Sequence, residues 1–346
     1  MRAPTLCAAA LLAGLLSACG GGPSASLNVT VTAPAGWSQE QALSQFDSLW
    51  STFDRDYAHF EDKQIDWDAL RSEFRPQAAA SKSQPELQAV LLQMLGRLHD
   101  LHVHFDGPNG SQLASYTNPR AANVDLNLLA NWFKGQQGVL LRDELGYARV
   151  PGGAYVGIRS WRNGAFSVAD IDQLFEQLRD SPALIIDVRM NGGGDDSLAA
   201  AFGARLLEQS RVMHYTKTRN GARHSDFTPL EARIVEPRGP WTYRGKLIVL
   251  TGAASASSTE SFLSLLHGLP NVILLGERSA GASGNPASYR LNADWSYTVP
   301  RWVAYAGDTQ PIEDRGILPD VTVVAAAADF AAGRDPVLEA ALARLK

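Results

Sequence analysis

The sequence has few cysteines, no cluster of basic residues and only a short apolar stretch at its start. Two of the 346 residues are cysteine, and the net charge is −5 at pH 7. Both cysteines lie within the first 19 residues, so the rest of the chain has no thiol for a disulfide or a thiolate metal cage. The acidic balance argues against nucleic acid as a partner. Hydrophobic residues make up 45% of the chain, enough for one large domain or two unequal ones.

The first residues predict an export signal. Arg2 precedes an apolar stretch over residues 6–16, which is too short to span a membrane, and small residues follow it. We expect residues 1–18 to be removed as a signal peptide. The string "LSAC" that ends at Cys19 resembles the bacterial lipobox, in which the cysteine after the cleavage site carries a lipid. A plain signal peptide is the alternative.

On the lipobox interpretation, residues 19–37 are a lipidated cysteine and a flexible linker rich in glycine. The glycine after Cys19 resembles the signal for outer-membrane sorting. We therefore expect a protein of the bacterial cell envelope, held by its lipid at the outer membrane and facing the periplasm.

The rest of the chain divides into two parts by the spacing of its apolar residues. Over residues 38–115 two apolar stripes at helical spacing predict a small helical domain, and Ser83 with Glu86 predicts a capping box. Over residues 116–346 short apolar runs alternate with helical stretches, which is typical of βαβ units and a largely parallel sheet. The clearest predicted strands are "ALIIDV" (183–188), "KLIVLT" (246–251) and "NVILLG" (271–276). The sequence therefore predicts an α/β protein.

Two of these strands run into turns of small residues. In "DVRMNGGGDD", residues 187–196, three glycines precede a helix, so backbone N–H groups and the helix dipole could hold an anion. A tight turn without a ligand is the alternative. In "LTGAASASSTESF", residues 250–262, a serine hydroxyl lies at a helix N-terminus, where developing negative charge is favoured. Simple helix capping is the alternative there.

A third segment, "LHDLHVHF" over residues 98–105, contains His99, His102 and His104. A nucleophilic serine needs a base that titrates near neutrality, and histidine provides one. The same three histidines could instead bind a metal ion, or the cluster could have no function.

Together and in this order, the segments resemble the tail-specific and tricorn-type serine peptidases, the C-terminal processing protease family. The family pattern Asp-x-Arg-x-Asn-x-Gly-Gly matches Asp187, Arg189, Asn191, Gly193 and Gly194. The nucleophile string Ser-Ala-Ser-x-x-Glu matches Ser255, Ala256, Ser257 and Glu260. The resemblance covers about residues 40–325. It implies an α/β fold with a crotonase/ClpP-like βαβ spiral catalytic domain and a small N-terminal helical domain.

The resemblance implies that Ser257, three residues before the glutamate of the string, is the nucleophile. Family members of the Ser-Lys type take their base from a lysine in the next segment, at the position of Ala282. No lysine occurs over residues 247–345, so a Ser-Lys dyad is excluded. The base must therefore come from another part of the chain.

The tricorn-like branch takes its base from an Asp-Gly-His motif after the helical domain. This sequence matches the motif at His102, with Leu101 in place of glycine. The branch also uses a glutamate from a string near the end of the chain, which Glu313 matches. The resemblance thus implies that Ser257 attacks, His102 transfers the proton and Glu313 orients the imidazole.

The same resemblance implies an oxyanion hole formed by Ser258 N–H with the N–H of Gly193 or Gly194. The substrate would be a peptide or protein, and no metal or cofactor is expected. The segment between His102 and Ala183 is too short for a full PDZ module, so recognition of C-terminal tails is not expected. The alternative function is that of a catalytically degenerate relative, which binds a hydrophobic ligand or a peptide without hydrolysis.

Overall fold

The computed structural model describes residues 36–345. The predicted signal peptide, Cys19 and nearly all of the predicted linker lie outside these residues. The described helices are α1 (Gln39–Asp56), α2 (Trp67–Ala80), α3 (Gln84–Gly96), α4 (Leu126–Gly135), α5 (Val168–Gln177), α6 (Asp196–Gly203), α7 (Ser258–Leu266), α8 (Ala327–Ala331) and α9 (Pro336–Ala343). The described strands are β1 (His104–Asp106), β2 (Gln112–Ala114), β3 (Val139–Arg142), β4 (Leu145–Val150), β5 (Gly153–Ile158), β6 (Ala183–Asp187), β7 (Arg211–Thr218), β8 (Glu231–Val235), β9 (Lys246–Thr251), β10 (Val272–Gly276), β11 (Pro286–Arg290), β12 (Ser296–Pro300), β13 (Trp302–Ala306) and β14 (Val321–Thr322).

The N-terminal helices form because apolar residues recur at helical spacing and polar residues cap the first turns. Ser38 begins α1 with a reciprocal capping box, in which Gln41 N–H donates to Ser38 Oγ at 3.1 Å. At α3 only half of the predicted box forms. Ser83 Oγ accepts from Glu86 N–H at 3.3 Å. The Glu86 carboxylate accepts from Lys82 N–H at 2.7 Å, so it caps one residue earlier than predicted.

The helical part is completed by strands from the other end of the chain. Its core joins apolar side chains of α1, α2 and α3 to Tyr297 and Val299 of β12. Strands β1 and β2 lie inside the segment predicted as a helical domain, residues 38–115, and β1 pairs with both β2 and β12. The resulting four-stranded sheet has the order β11-β12-β1-β2. The N-terminal region therefore contains strands as well as helices.

A seven-stranded sheet forms the centre of the α/β part, with the order β14-β10-β9-β6-β5-β4-β3. The pairs from β5 to β14 are parallel, whereas β3 and β4 add to one edge in antiparallel fashion. The three predicted strands are β6, β9 and β10, which are neighbours. Because β6 and β9 are adjacent and parallel, the turns that follow them meet at the same edge of the sheet.

Helices cover both faces of this sheet, as the burial of β6 along its whole length requires. Side chains of α5, α6 and α7 pack on one face, and side chains of α4 and α9 pack on the other. A separate three-stranded sheet, β13-β7-β8, packs beside α7. Among residues 36–345 we find no helix with the length and apolarity that a bilayer crossing needs.

Candidate active site

The turn after β9 gives one serine a backbone conformation unlike that of its neighbours. Ser257 has φ 58° and ψ −126°, a region that residues with a side chain rarely adopt and that is found most often at functional sites. It is half-buried and directly precedes α7. Its hydroxyl makes no hydrogen bond within the described part of the chain. Ser257 therefore presents a hydroxyl without a structural role at a helix N-terminus.

The other three serines of this turn are engaged in packing. Ser255 is fully buried, and its Oγ donates to Val188 O at 2.9 Å. Ser258 is buried at the first position of α7. Ser261 lies inside α7, with its Oγ 3.0 Å from His214 Nδ1. Ser258 Oγ also lacks a hydrogen-bond partner among residues 36–345, but it is buried, so greater exposure and strained backbone separate Ser257 from the other three serines.

Ser261, His214 and Asp196 form a second Ser-His-Asp grouping, which the sequence did not suggest. His214 Nε2 is 3.8 Å from Asp196 Oδ2, and burial lowers the pKa of His214. His214 is 2% exposed and Ser261 8% exposed, and Ser261 belongs to the middle of a helix. A substrate carbonyl has no open approach to this hydroxyl, so we interpret the grouping as a contact between α6, α7 and β7.

The glycine turn after β6 lies directly against Ser257. A Cβ on Gly193 would stand 2.7 Å from Ser257 Cβ and 2.9 Å from Ala256 O, which is closer than heavy atoms can approach without repulsion. Gly193 also has φ 104°, a conformation that favours glycine. Only a residue without a side chain allows the two turns to come this close.

Two sets of contacts hold the glycine turn in this position. Arg189 is fully buried and pairs with Asp187 at 2.8 Å and with Asp335 at 2.9 Å, which ties the turn to β6 and to the start of α9. Asn191 O accepts from Ala256 N–H at 3.2 Å, which ties the glycine turn to the serine turn. These residues position the site and carry no reacting atom.

The predicted oxyanion donors have different partners. Gly193 N–H donates to Asn191 Oδ1 at 2.9 Å, so it is engaged within its own turn. Gly194 forms an isolated parallel bridge with Trp161. In this bridge Trp161 N–H donates to Gly193 O at 3.0 Å and Trp161 O accepts from Asp195 N–H at 2.7 Å, so the bridge does not use the N–H of Gly194. Ser258 N–H belongs to the first turn of α7, whose N–H groups have no partner inside the helix. Gly194 therefore has the more available N–H of the two glycines.

Glu260, the last residue of the nucleophile string, is fully buried and organises the loop beside Ser257. Its Oε1 accepts from Ser279 Oγ at 2.6 Å and from Gly281 N–H at 2.8 Å. Its Oε2 accepts from Ala282 N–H at 2.8 Å and from Ser257 N–H at 3.1 Å. Burial raises the pKa of Glu260 to about 7, and the four hydrogen bonds oppose that rise. Glu260 thus fixes the following loop against the nucleophile.

His102 lies on the loop between α3 and β1, next to the same segment. Its N–H donates to Asp100 Oδ1 at 2.8 Å. Burial lowers the pKa of His102, and the negative charge of Asp100 and the nearby Ser283 backbone oppose this effect. Its ring Nδ1 is buried without a hydrogen-bond partner among residues 36–345. The imidazole is therefore neutral at pH 7 and able to accept a proton. Since Ser257 N–H donates to Ala282 O at 3.1 Å, Ser257 and His102 lie against consecutive residues of one loop.

Glu313 reaches this loop from the C-terminal side and is 8% exposed. Its Oε2 accepts from Ser283 N–H at 2.8 Å, and its Oε1 is 2.8 Å from Lys63 Nζ. Burial raises the pKa of Glu313 to about 7; the charge of Asp100 acts in the same direction and that of Lys63 against it. The connection from Glu313 to His102 runs through the backbone of Ser283.

The structure thus brings Ser257, His102 and Glu313 to one loop. Within residues 36–345, no direct hydrogen bond joins any two of these three side chains, and their catalytic roles stay a prediction. Sequence reasoning missed Lys63 and Ser283. Neither residue belongs to a motif. Ser283 acts through its backbone N–H, which every residue except proline has, so its side chain gives no signal in the sequence.

The three clustered histidines point to different partners. The His99 ring packs against Tyr116 with ring centroids 5.1 Å apart and the planes tilted by 31°, and His104 Nε2 is 3.4 Å from Asp106 Oδ1. In the part of the chain that the structure describes, no group of three or more His, Cys, Asp or Glu side chains is arranged to hold a metal ion.

Comparisons with known proteins identify the fold. Residues 153–323 match Peptidase family S41, and residues 38–96 match the Tricorn protease C1 domain. A putative Tricorn-like protease C-terminal subunit of Sulfurisphaera tokodaii is 27% identical over 203 residues, which are 58% of this chain and 21% of that protein. The Tricorn protease of Thermoplasma acidophilum is 25% identical over 200 residues, which are 57% of this chain and 16% of that protein. The chain therefore spans only a small part of the length of these relatives.

A solved structure matches over nearly its full length. The putative peptidase from Parabacteroides merdae is 28% identical, with a TM-score of 0.78 over 90% of this chain and 97% of that chain. These matches make the chain a serine-type peptidase by family. It belongs to the C-terminal processing and tricorn-like peptidases of family S41. The predicted family, α/β fold class and enzyme class are confirmed.

Proposed function

We propose that this chain is an exported, lipid-anchored serine peptidase in which Ser257 is the nucleophile, His102 the general base and Glu313 the group that stabilises the charged imidazole. The observation that carries the proposal is the strained backbone of the half-buried Ser257, with φ 58°, held directly against a glycine turn. Strain of this kind persists where the surrounding structure holds a residue for function.

In the proposed reaction, Ser257 Oγ attacks the scissile carbonyl while its proton passes to the neutral imidazole of His102. The oxyanion lies between Ser258 N–H and the N–H of Gly194 or Gly193, and each donor lowers the barrier by about 3 kcal/mol. His102 then returns the proton to the leaving amine. Water repeats the sequence on the acyl-enzyme and releases the second product.

Glu313 favours the imidazolium form of His102 that exists between these proton transfers. Its carboxylate acts through Ser283, whose N–H donates to Glu313 Oε2 at 2.8 Å and whose backbone lies near the imidazole. The proposal requires His102 to come within hydrogen-bond distance of Ser257 Oγ when substrate binds, since catalytic hydrogen bonds often form only in the substrate complex.

A fluorophosphonate probe tests the nucleophile. We expect the folded protein to be labelled, the label to disappear in Ser257→Ala, and His102→Ala to abolish turnover without changing the thermal midpoint. Ser261→Ala is the matched control because it removes the hydroxyl of the buried second grouping, so it should keep the label. Loss of label in Ser261→Ala with retention in Ser257→Ala would move the nucleophile to the other grouping.

The anchoring part of the proposal is supported by "LSAC" at Cys19 and the glycine-rich residues after it, which also favour the outer membrane and the periplasmic side. Growth of the expressing bacterium with a clickable palmitate should label the wild-type protein and leave Cys19→Ala unlabelled. Lipid label that survives in Cys19→Ala contradicts the anchor.

A second candidate function, binding of a hydrophobic ligand or peptide without hydrolysis, is supported by an apolar groove of about 550 Å³. It lies between α4 and the strands β3 to β5, and its apolar lining includes Leu129, Phe133, Leu140 and Met190. This candidate predicts a folded wild-type protein that never reacts with the fluorophosphonate but binds a hydrophobic fluorescent probe, with binding lost in Leu140→Asp.

A further inference from the structure

We propose that Lys63 is a positioning residue of this site, which holds Glu313 as a carboxylate and fixes the loop that carries His102. The inference rests on the proposed function, because it assigns a role toward the proposed Glu313 and His102. Lys63 lies on the loop between α1 and α2, far in the sequence from the nucleophile and from Glu313. It reaches the site from the helical part of the molecule.

The geometry around Lys63 uses its whole donor capacity. Nζ is 2.8 Å from Glu313 Oε1 and 2.9 Å from Asp314 Oδ1, and it donates to His99 O at 3.3 Å. An ammonium group has three N–H donors, so each has one partner. The side chains of Lys63 and Glu313 are both 5% exposed, whereas that of Asp314 is 60% exposed. The buried partner, Glu313, is therefore the one whose charge depends on the lysine.

Lys63 also joins three turns with strained backbone. Gln64, His99 and Asp314 have φ values of 53°, 48° and 59°, which residues with side chains seldom adopt. One of these turns follows Lys63, the second leads to His102 and the third follows Glu313. Lys63 Nζ contacts His99 O in the second turn and Asp314 Oδ1 in the third. Because one ammonium group holds both turns, it fixes the position of His102 relative to Glu313.

Besides Lys63, the ionisable groups around Glu313 are Asp100 and His59. Asp100 is fully buried, and Tyr57 Oη donates to its Oδ2 at 3.0 Å. His59 is also fully buried, but its Nδ1 is paired with Asp62 Oδ2 at 3.4 Å. Removal of Lys63 would take away the one cation in hydrogen-bond contact with Glu313 among residues 36–345 and would leave the buried His59 ring as the remaining group that opposes the charge of Asp100.

Two buried carboxylates near each other cannot both stay ionised, so one takes up a proton. Burial and the charge of Asp100 already raise the pKa of Glu313, and the charges of His59 and Lys63 and the hydrogen bond from Lys63 oppose that rise. Without the lysine, Glu313 becomes protonated at higher pH than in the wild type. A neutral Glu313 no longer stabilises the imidazolium of His102, and labelling of Ser257 slows.

The experiment measures the rate of fluorophosphonate labelling across about pH 5 to 9 in the full chain. Lys63→Met keeps the length of the side chain and removes the charge, and Lys63→Arg keeps the charge. Glu313→Gln and the double variant with Lys63→Met complete a cycle. Lys82→Met is the control, since Lys82 is an exposed lysine that makes no side-chain contact with the site.

We expect Lys63→Met to slow labelling at pH 7 by about fivefold and to move the acid limb of the pH profile up by about one pH unit. Lys63→Arg should return the limb toward its wild-type position. In the double variant the lysine change should add nothing to the loss caused by Glu313→Gln. The double variant should also unfold at higher urea concentration than Lys63→Met, because it has no unpaired carboxylate at position 313.

A Lys63→Met protein with wild-type rate and profile would overturn the inference, as would losses in the cycle that simply multiply. The urea comparison covers the case in which Lys63→Met folds poorly: a double variant no more stable than Lys63→Met also overturns it. Wild-type protein that never labels refutes the proposed function and the inference with it. That outcome differs from the others because the wild type itself is silent.

Discussion

Replacement of Gly193 by alanine tests the contact between the glycine turn and the nucleophile. The new Cβ would lie 2.7 Å from Ser257 Cβ, whereas two carbon atoms need roughly 3.5 Å or more. One of the two turns must therefore shift by about 1 Å, and a misplacement of that size costs about a hundredfold in rate when it affects a reacting group. The same shift moves Ser258 N–H, which would be 3.2 Å from the new atom.

The cost in stability is smaller than the cost in rate. A residue with a side chain at φ 104° carries about 1–3 kcal/mol of backbone strain, so the free energy of unfolding should fall by that amount. Gly192→Ala is the matched control. A Cβ on Gly192 meets no atom within 4 Å, and its φ lies outside the positive range, so this variant should resemble the wild type in both measurements.

The assay compares the second-order rate of fluorophosphonate labelling with the urea midpoint for the wild type and both variants. We expect Gly193→Ala to be folded and nearly unreactive, and Gly192→Ala to be folded and reactive. Labelling of Gly193→Ala at the wild-type rate would refute the reasoning, because it would show that the crowded approach of the two turns does not determine the position of Ser257.

Two further predictions concern the buried charges. Arg189→Met leaves two buried carboxylates without their cation and should lower the free energy of unfolding by about 3–5 kcal/mol, measured by urea denaturation. The control Arg179→Met, at an exposed arginine, should change the free energy of unfolding by less than about 0.5 kcal/mol. Equal effects of the two variants would contradict the role of Arg189 in holding the glycine turn. In the wild type the labelling rate should fall as the pH drops through about 7, because Glu313 becomes protonated there. In Glu313→Gln the plateau should be lower and the limb should lie below 6.5, where His102 titrates because burial lowers its pKa. A limb that stays near 7 would show that another group controls the rate.

The sequence predicted the parts of the molecule that contiguous residues encode. The apolar runs of β6 and β9, the small-residue turns after them and the helix that follows Ser257 are local patterns, and each forms as expected. Their meeting at one edge of the sheet follows from parallel strand order, which is a general rule of α/β folds. The turn that carries the candidate nucleophile could therefore be located from local patterns, whereas the choice of Ser257 among its four serines came from the resemblance to the family's nucleophile string.

Contacts between distant segments were not predictable in this way. Lys63 and Asp314 are 251 positions apart, and nothing in their neighbourhoods indicates that they meet. The pairing of β1 with β12 is a similar case, because a three-residue strand has too little periodicity to identify its partner. The engagement of Gly193 N–H by Asn191 depends on a side-chain orientation that the motif does not specify.

The nucleophile and the base are supported by separate sets of residues. Ser257 is held by Glu260 and by the close approach of Gly193, both of which belong to the α/β part. His102 comes from the helical part, whose core is closed by β12, and its acidic neighbour is held by Lys63 from the same part. Changes at Gly193 therefore act on the position of the reacting hydroxyl at every pH. Changes at Lys63 act on the protonation state of Glu313, so their effect on the labelling rate must vary with pH. This pH dependence distinguishes the support of the base from the support of the nucleophile.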